Sequence, residues 1–200
     1  MAKIKIAVTG GIGSGKSVAL SCIREMGYPV YSCDEIYKQV ILSEEYIKKI
    51  QTLFPSAVVQ GKIDREILSE IVFNNADKLQ KLNNAAHPLI MKSLLQQMGE
   101  CDAEIVVAEV PLLFEGNFEN LFDKIIYIRR NLEKRLQNVS QRDTISIEEI
   151  KKRIASQFDP NTDIGKARLK NCNAFVIENE GTIENLKNKL KQILFQILKT

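Results

Sequence analysis

Gly10-Gly11-Ile12-Gly13-Ser14-Gly15-Lys16-Ser17 satisfies the pattern G-x-x-x-x-G-K-[ST]. It follows the apolar run Ile4 to Thr9, which reads as a strand, and it opens onto a stretch with helical spacing. Glycine lets a backbone curl so that successive N–H groups point into one concavity, and a helix starting there adds its own free amides and partial positive charge. Such a concavity binds phosphates. Gly11, Ile12, Gly13, Ser14, Gly15, Lys16, Ser17 and Val18 are the expected contacts to the phosphates of ATP, Val18 through its backbone alone. Lys16 would bring a cation to the β- and γ-phosphates, and the Ser17 hydroxyl would coordinate Mg²⁺. A glycine-rich turn with a chance lysine is the competing reading, and the strand-loop-helix context weighs against it.

Working outward, Val30 to Ser32, Ile105 to Val110, Ile125 to Ile128 and Phe175 to Ile177 also read as strands, mostly apolar and β-branched, hence buried on both faces. The segments between them carry helical spacing, which predicts right-handed crossovers and a five-stranded parallel sheet flanked by helices. Helix starts are predicted at Asp64, at Asn131, at Ser146 with Glu149 three residues on, and at Thr182. About seventy residues separate the second and third strands, far more than a simple crossover needs. About forty-five follow the fourth, again longer than usual. The spacing predicts a single α/β domain of the P-loop NTPase fold. Its parts are a nucleotide-binding core (1–36, 99–130, 171–200), a helical acceptor-binding insertion (37–98) and a helical lid (131–170).

Composition sets limits on what the chain does. The 200 residues are 44% hydrophobic, enough for one substantial core without disulfide or metal staples. Cys22, Cys33, Cys101 and Cys172 are scattered, with no C-x-x-C pair and one histidine, so they read as reduced thiols of a cytoplasmic protein. The alternation of Lys3 and Lys5 with Ile4 and Ile6, ahead of Gly10, does not fit a signal peptide, and nothing approaches a membrane span. A net charge of +3, with basic residues spread along the chain, argues against nucleic acid as partner. Oligomeric state stays open, with a monomer compatible.

A phosphate loop is shared by kinases, GTPases, motors and ATP sensors. The chain lacks N-K-x-D after a later strand, the usual guanine-selecting pattern, and it is too short for most motors. Asp34, just past the second strand, lies where open parallel sheets place their ligands. A carboxylate there could orient or deprotonate an acceptor hydroxyl. It could equally cap a helix starting near Glu35.

Taken with the loop and Asp34, Gly61, Asp64-Arg65, Ile71-Val72-Phe73, His87-Pro88-Leu89-Ile90 and Pro111-Leu112-Leu113-Phe114-Glu115 resemble the dephospho-coenzyme A kinases. So do the pattern around Arg135 and Gln141-Arg142, Gln157 and Asn179. The resemblance runs almost end to end. It implies ATP-dependent phosphorylation of the ribose 3′-hydroxyl of dephospho-CoA, with Asn179 beside the nucleotide and Arg65, His87, Pro88, Leu112 and Glu115 beside the acceptor. Glu109 stands at a strand end where relatives often carry Asp, the place of an acid acting through water on Mg²⁺. Asn173-Ala174 departs from the family's Ala-Asp. The lone His87 reads as acceptor-site architecture, with Pro88 predicting an extended backbone near a helix start. Gln141-Arg142 is predicted to lie in the turn between two lid helices, from which Arg142 would swing onto the phosphates. Lys16, Asp34 and Arg142 are thus the expected catalytic groups. A kinase for another small hydroxyl acceptor, or an ATP-dependent switch without catalysis, would share the loop.

Overall fold

The computed structural model describes residues 3–73, 75–143 and 145–199. Among them the chain forms two compact units, one of residues 1–30 and 101–200 and the other of residues 31–100. The strands of the main sheet are β1 (Ile4–Thr9), β2 (Val30–Ser32), β5 (Ile105–Glu109), β6 (Lys124–Arg129) and β7 (Phe175–Glu178). Their order across the sheet is β2-β5-β1-β6-β7, and the pairs β5–β1, β1–β6 and β6–β7 run parallel. Strand β1 is central, and from Ile6 to Thr9 it is buried on both faces.

In the first unit, α1 (Lys16–Glu25) and α9 (Ile183–Leu198) cover one face of that sheet. Period 2 in the strands meets period 3.6 in the helices. Ile6 and Val8, Ile105 and Val107, Ile126 and Ile128, and Ile177 point to this side, where Ala19, Leu20 and Ile23 of α1 and Leu186, Leu190, Leu194 and Ile197 of α9 meet them. The predicted burial on both faces holds for β1, β5 and β6 and fails at the rims. Strands β2 and β7 are edges, so their residues are only partly covered, with Val176 exposed. Three further helices follow β6: α6 (Leu132–Arg142), α7 (Ile147–Ala155) and α8 (Asp163–Asn171).

In the second unit, α2 (Cys33–Val40) and α3 (Glu44–Leu53) pack on the long helix α5 (Ala76–Glu100) around Ile36, Val40, Tyr46, Ile50, Leu94 and Met98. Helix α4 (Arg65–Val72) joins them. The segment is not wholly helical as predicted. Strands β3 (Val58–Val59) and β4 (Lys62–Ile63) form a small antiparallel hairpin, because Gln60 and Gly61 both adopt positive φ (50° and 74°) at the two-residue turn between them.

Two further expectations are corrected here. Pro88 does not mark an extended segment near a helix start; it lies inside α5. Proline removes one hydrogen bond to the residue four back, and Asn84 and Pro88 are both on the exposed side, where water can take that place. Asp34 does not cap α2. The helix begins at Cys33, and the Ser32 hydroxyl accepts the Asp34 N–H at 3.3 Å, so Asp34 sits in the first turn with its carboxylate exposed.

Candidate functional site

Every α-helix but one starts on a capping side chain among the described residues. Ser32, Ser43, Asp64, Asn75, Asn131, Ser146, Thr162 and Thr182 each accept an N–H of the helix that follows. Helix α1 begins on Gly15 with no capping side chain and no acid in its first turn. Its amides and positive dipole end are therefore left for an external anion.

Glycine at position 15 is demanded twice over. Its φ is 96°, and a Cβ there would collide with the Asn179 amide. That amide is buried and donates from Nδ2 to the Ser14 carbonyl at 2.8 Å. Gly13 is demanded as well, with φ 76° and the Arg135 carbonyl where a Cβ would lie, whereas a Cβ at Gly11 would only push the Arg135 guanidinium aside. Arg135 donates from Nε to the Ile12 carbonyl at 2.9 Å, Asn138 from Nδ2 to the Gly13 carbonyl at 3.1 Å, and Gln157 Oε1 accepts the Ile12 N–H at 2.8 Å. Sequence reasoning assigned no site role to Arg135, Asn138 or Gln157. Their partners are more than a hundred residues away, and only the family resemblance at Arg135 and Gln157 could have drawn attention to them.

Lys16 Nζ donates to the Gly10 and Gly11 carbonyls at 2.8 and 3.2 Å. Burial lowers its pKa; Glu109 and Glu115 counter that, while Arg135 and Arg142 add to it. Glu109, Glu115, Arg135 and Arg142 thus all project their charge onto Lys16. Ser17 and Val18, in the first turn of α1, are exposed. Glu109 ends β5, in register with Val8 of β1. No group of three or more His, Cys, Asp or Glu able to hold a metal occurs among the described residues. Mg²⁺ that arrives with a nucleotide keeps most of its waters and takes only one or two protein ligands, so a serine hydroxyl and one acid fit it.

Arg142 is not in the turn. It is the last residue of α6, because the helical pattern continues through it and ends only where Asp143 is extended. Its Nε and Nη2 donate to the two carboxylate oxygens of Asp143, each at 2.8 Å. Glu115, in the turns after β5, accepts the Phe158 N–H at 2.8 Å. Phe114 stacks on Phe158 at 4.1 Å between ring centres, Tyr127 meets Phe158 edge-on, and Arg168 lies over both phenylalanines while pairing with Glu119. These contacts tie the segment after α7 to the turns after β5. Beside them a cavity of about 240 Å³ is lined by Gly11, Ser14, Arg130, Arg135, Gln157 and Asn161, among others. Leu112 is exposed near the start of the same turns.

Asp34, Arg65, His87 and Pro88 belong to the second unit. Arg65 opens α4 and is exposed, beside the solvent-facing Phe73. His87 is half-buried within α5, which lowers its pKa.

Residues 4–185 match the family model described as dephospho-CoA kinase. A dephospho-CoA kinase of Thermus thermophilus is 32% identical over 97% of this chain and 92% of its own length. One from Fusobacterium nucleatum is 34% identical over 94% and 95%. The solved dephospho-CoA kinase of Campylobacter jejuni superposes with a TM-score of 0.61 at 29% identity, covering 98% of this chain and 97% of that one. With a phosphate loop left uncapped for an anion, and relatives matching from end to end, the chain belongs to the dephospho-CoA kinase family.

Proposed function

We propose that the chain transfers the γ-phosphoryl group of ATP to the ribose 3′-hydroxyl of dephospho-CoA, giving CoA and ADP, with Lys16, Asp34 and Arg142 as its catalytic residues. The observation that carries this reading is the contrast between the uncapped start of α1 and the capped starts of the other α-helices. The family supplies the acceptor.

In this mechanism the loop amides and Lys16 bind the β- and γ-phosphates, which compete with the Gly10 and Gly11 carbonyls for Nζ. The 3′-oxygen forms a bond to the γ-phosphorus as the bond from that phosphorus to the bridging oxygen breaks, and ADP leaves. The hydroxyl proton passes to the Asp34 carboxylate. Ser17, and Glu109 through water, would hold Mg²⁺, which supplies neutralisation of phosphate charge. The transition state is loose, so positioning and charge outweigh basicity. Arg142 exchanges Asp143 for equatorial phosphate oxygens; solvent screens a surface pair of this kind, so its loss costs little.

Arg65, His87 and Pro88 in residues 37–98, together with Leu112 and Glu115, are the acceptor contacts in this reading. Asn179 serves the nucleotide by bracing Ser14. Residues 131–170 close as a lid and exclude water, which limits ATP hydrolysis. No helix of the described residues is long and apolar enough to cross a membrane. The four free thiols support action in the cytoplasm, and a monomer suffices for the chemistry.

The test is ADP release from ATP and Mg²⁺ with a panel of hydroxyl acceptors. Release that depends on dephospho-CoA supports the reading. Release with a different acceptor alone, or ATP binding with no acceptor-dependent release, overturns it.

A further inference from the structure

We propose that Asn138 and Gln157 are positioning residues that fix the Gly11–Ser14 turn of the phosphate loop, so that α6 and the segment after α7 shape the loop before any nucleotide arrives. This rests on the phosphoryl-transfer reading above. Three consecutive loop carbonyls are held from outside by side-chain donors. Arg135 holds Ile12, Asn138 holds Gly13, and Asn179 holds Ser14, at 2.9, 3.1 and 2.8 Å. Gln157 holds the preceding unit, accepting the Ile12 N–H at 2.8 Å, which turns the Gly11 carbonyl inward to Lys16 Nζ and the Ser14 N–H, each at 3.2 Å.

The consequence follows from peptide geometry. A peptide unit is planar, and the described chain has no cis bond, so each N–H points opposite to the carbonyl of the same unit. Holding the Ile12 carbonyl fixes the Gly13 N–H, and holding the Ser14 carbonyl fixes the Gly15 N–H. Both are turned away from the side chains that do the holding. Holding the Gly13 carbonyl likewise turns the Ser14 N–H inward along the loop, where it donates to the Gly11 carbonyl at 3.2 Å. A loop with glycine at 11, 13 and 15 is otherwise free to flip these units. A flipped unit presents a carbonyl oxygen to the phosphate in place of an N–H, replacing attraction by repulsion. Amides already aimed at the anion need no reorganisation when it binds.

Arg135 also carries charge, so its loss would not isolate positioning. Asn138 and Gln157 are neutral and act in opposite senses, since Asn138 must donate and Gln157 must accept. Glutamate at 157 keeps the acceptor and has its charge met by Arg135, whose Nη2 lies 3.5 Å from Gln157 Oε1, whereas aspartate at 138 loses the donor and sets a carboxylate against a carbonyl.

The experiment is titration calorimetry of ATP into the full-length protein without acceptor, with melting temperature, kcat and acceptor KM measured on the same samples. Gln157→Ala and Asn138→Ala are each expected to weaken ATP binding about five- to tenfold, the equivalent of one net hydrogen bond. Acceptor KM should stay put. Gln157→Glu should recover most of the loss, and Asn138→Asp should recover none of it. Gln157→Met, close in volume, replaces the alanine variant if that fails to fold. ATP affinities of the alanine variants within about twofold of the parent's would overturn the proposal, as would equal recovery by Glu and Asp. The affinity pattern in a parent that transfers nothing to dephospho-CoA would support the brace and remove the acceptor reading alone.

Discussion

Asn179 at the end of β7 holds the Ser14 carbonyl in the phosphate loop at 2.8 Å, across 165 residues of chain. The amide is buried, so removing it leaves the Ser14 carbonyl without that partner inside the protein. Asn179→Ala should lower stability by about 1–3 kcal/mol, the cost of an unsatisfied buried polar group. It should also shrink the rise in melting temperature that ATP produces. Thermal denaturation with and without ATP checks both. An unchanged melting temperature would mean that water replaces the amide without loss.

Arg142 and Asp143 form the second test. Arg142 is exposed and Asp143 partly so, and Asp143 has its pKa lowered by the guanidinium that it binds. If Arg142 leaves Asp143 for the phosphates in the transition state, Arg142→Ala should cut kcat about a hundredfold or more, and Arg142→Lys should recover only part. Asp143→Ala should change kcat by no more than about threefold, because it removes only the resting partner. Steady-state kinetics on the three variants decide the matter. A kcat for Arg142→Ala within about twofold of the parent would leave the residue a surface ion pair.

Asp34→Asn separates chemistry from structure more cleanly than the sequence allowed. Ser32 caps α2, so the Asp34 carboxylate has no capping duty to lose. The expected outcome is a large fall in kcat with an unchanged melting temperature. A drop in melting temperature with kcat per folded molecule retained would count against its role as proton acceptor.

The central strands and the phosphate loop were legible because both are local patterns. Apolar runs mark buried strands, and one octapeptide carries the whole loop. The caps at Asp64, Asn131, Ser146 and Thr182 were legible for the same reason. The cap of α2 was misplaced by two residues, since Ser32 and Asp34 are equally good cap residues and only the backbone chooses between them. Pro88 misled because context kept it within a helix that its local preference would end. The brace on the loop was not legible in local pattern. Nothing within reach of residue 12 along the chain announces residues 135 and 157 as its partners.

His87 supplies a pH signature. Burial holds its pKa below the usual 6.5, so between the folded value and 6.5 the unfolded chain binds the extra proton more strongly. Stability therefore rises with pH through that window and is lost as pH falls through it. It is the one histidine in the chain. The melting temperature should decline as pH falls through 6.5 and below it, and His87→Gln should flatten that part of the curve. An identical slope in the variant would assign the decline to other groups.

The central claim is the transfer of a phosphoryl group from ATP to the 3′-hydroxyl of dephospho-CoA, and mass spectrometry of the acceptor tests it most directly. Dephospho-CoA incubated with ATP, Mg²⁺ and the protein should gain the mass of one phosphoryl group, and fragmentation should place it on the ribose 3′-oxygen. Lys16→Ala, folded by its melting curve, should give almost none, because the cation at the transferring phosphate has no replacement. Acceptor of unchanged mass, from parent protein shown to be folded and to bind ATP, would contradict the account.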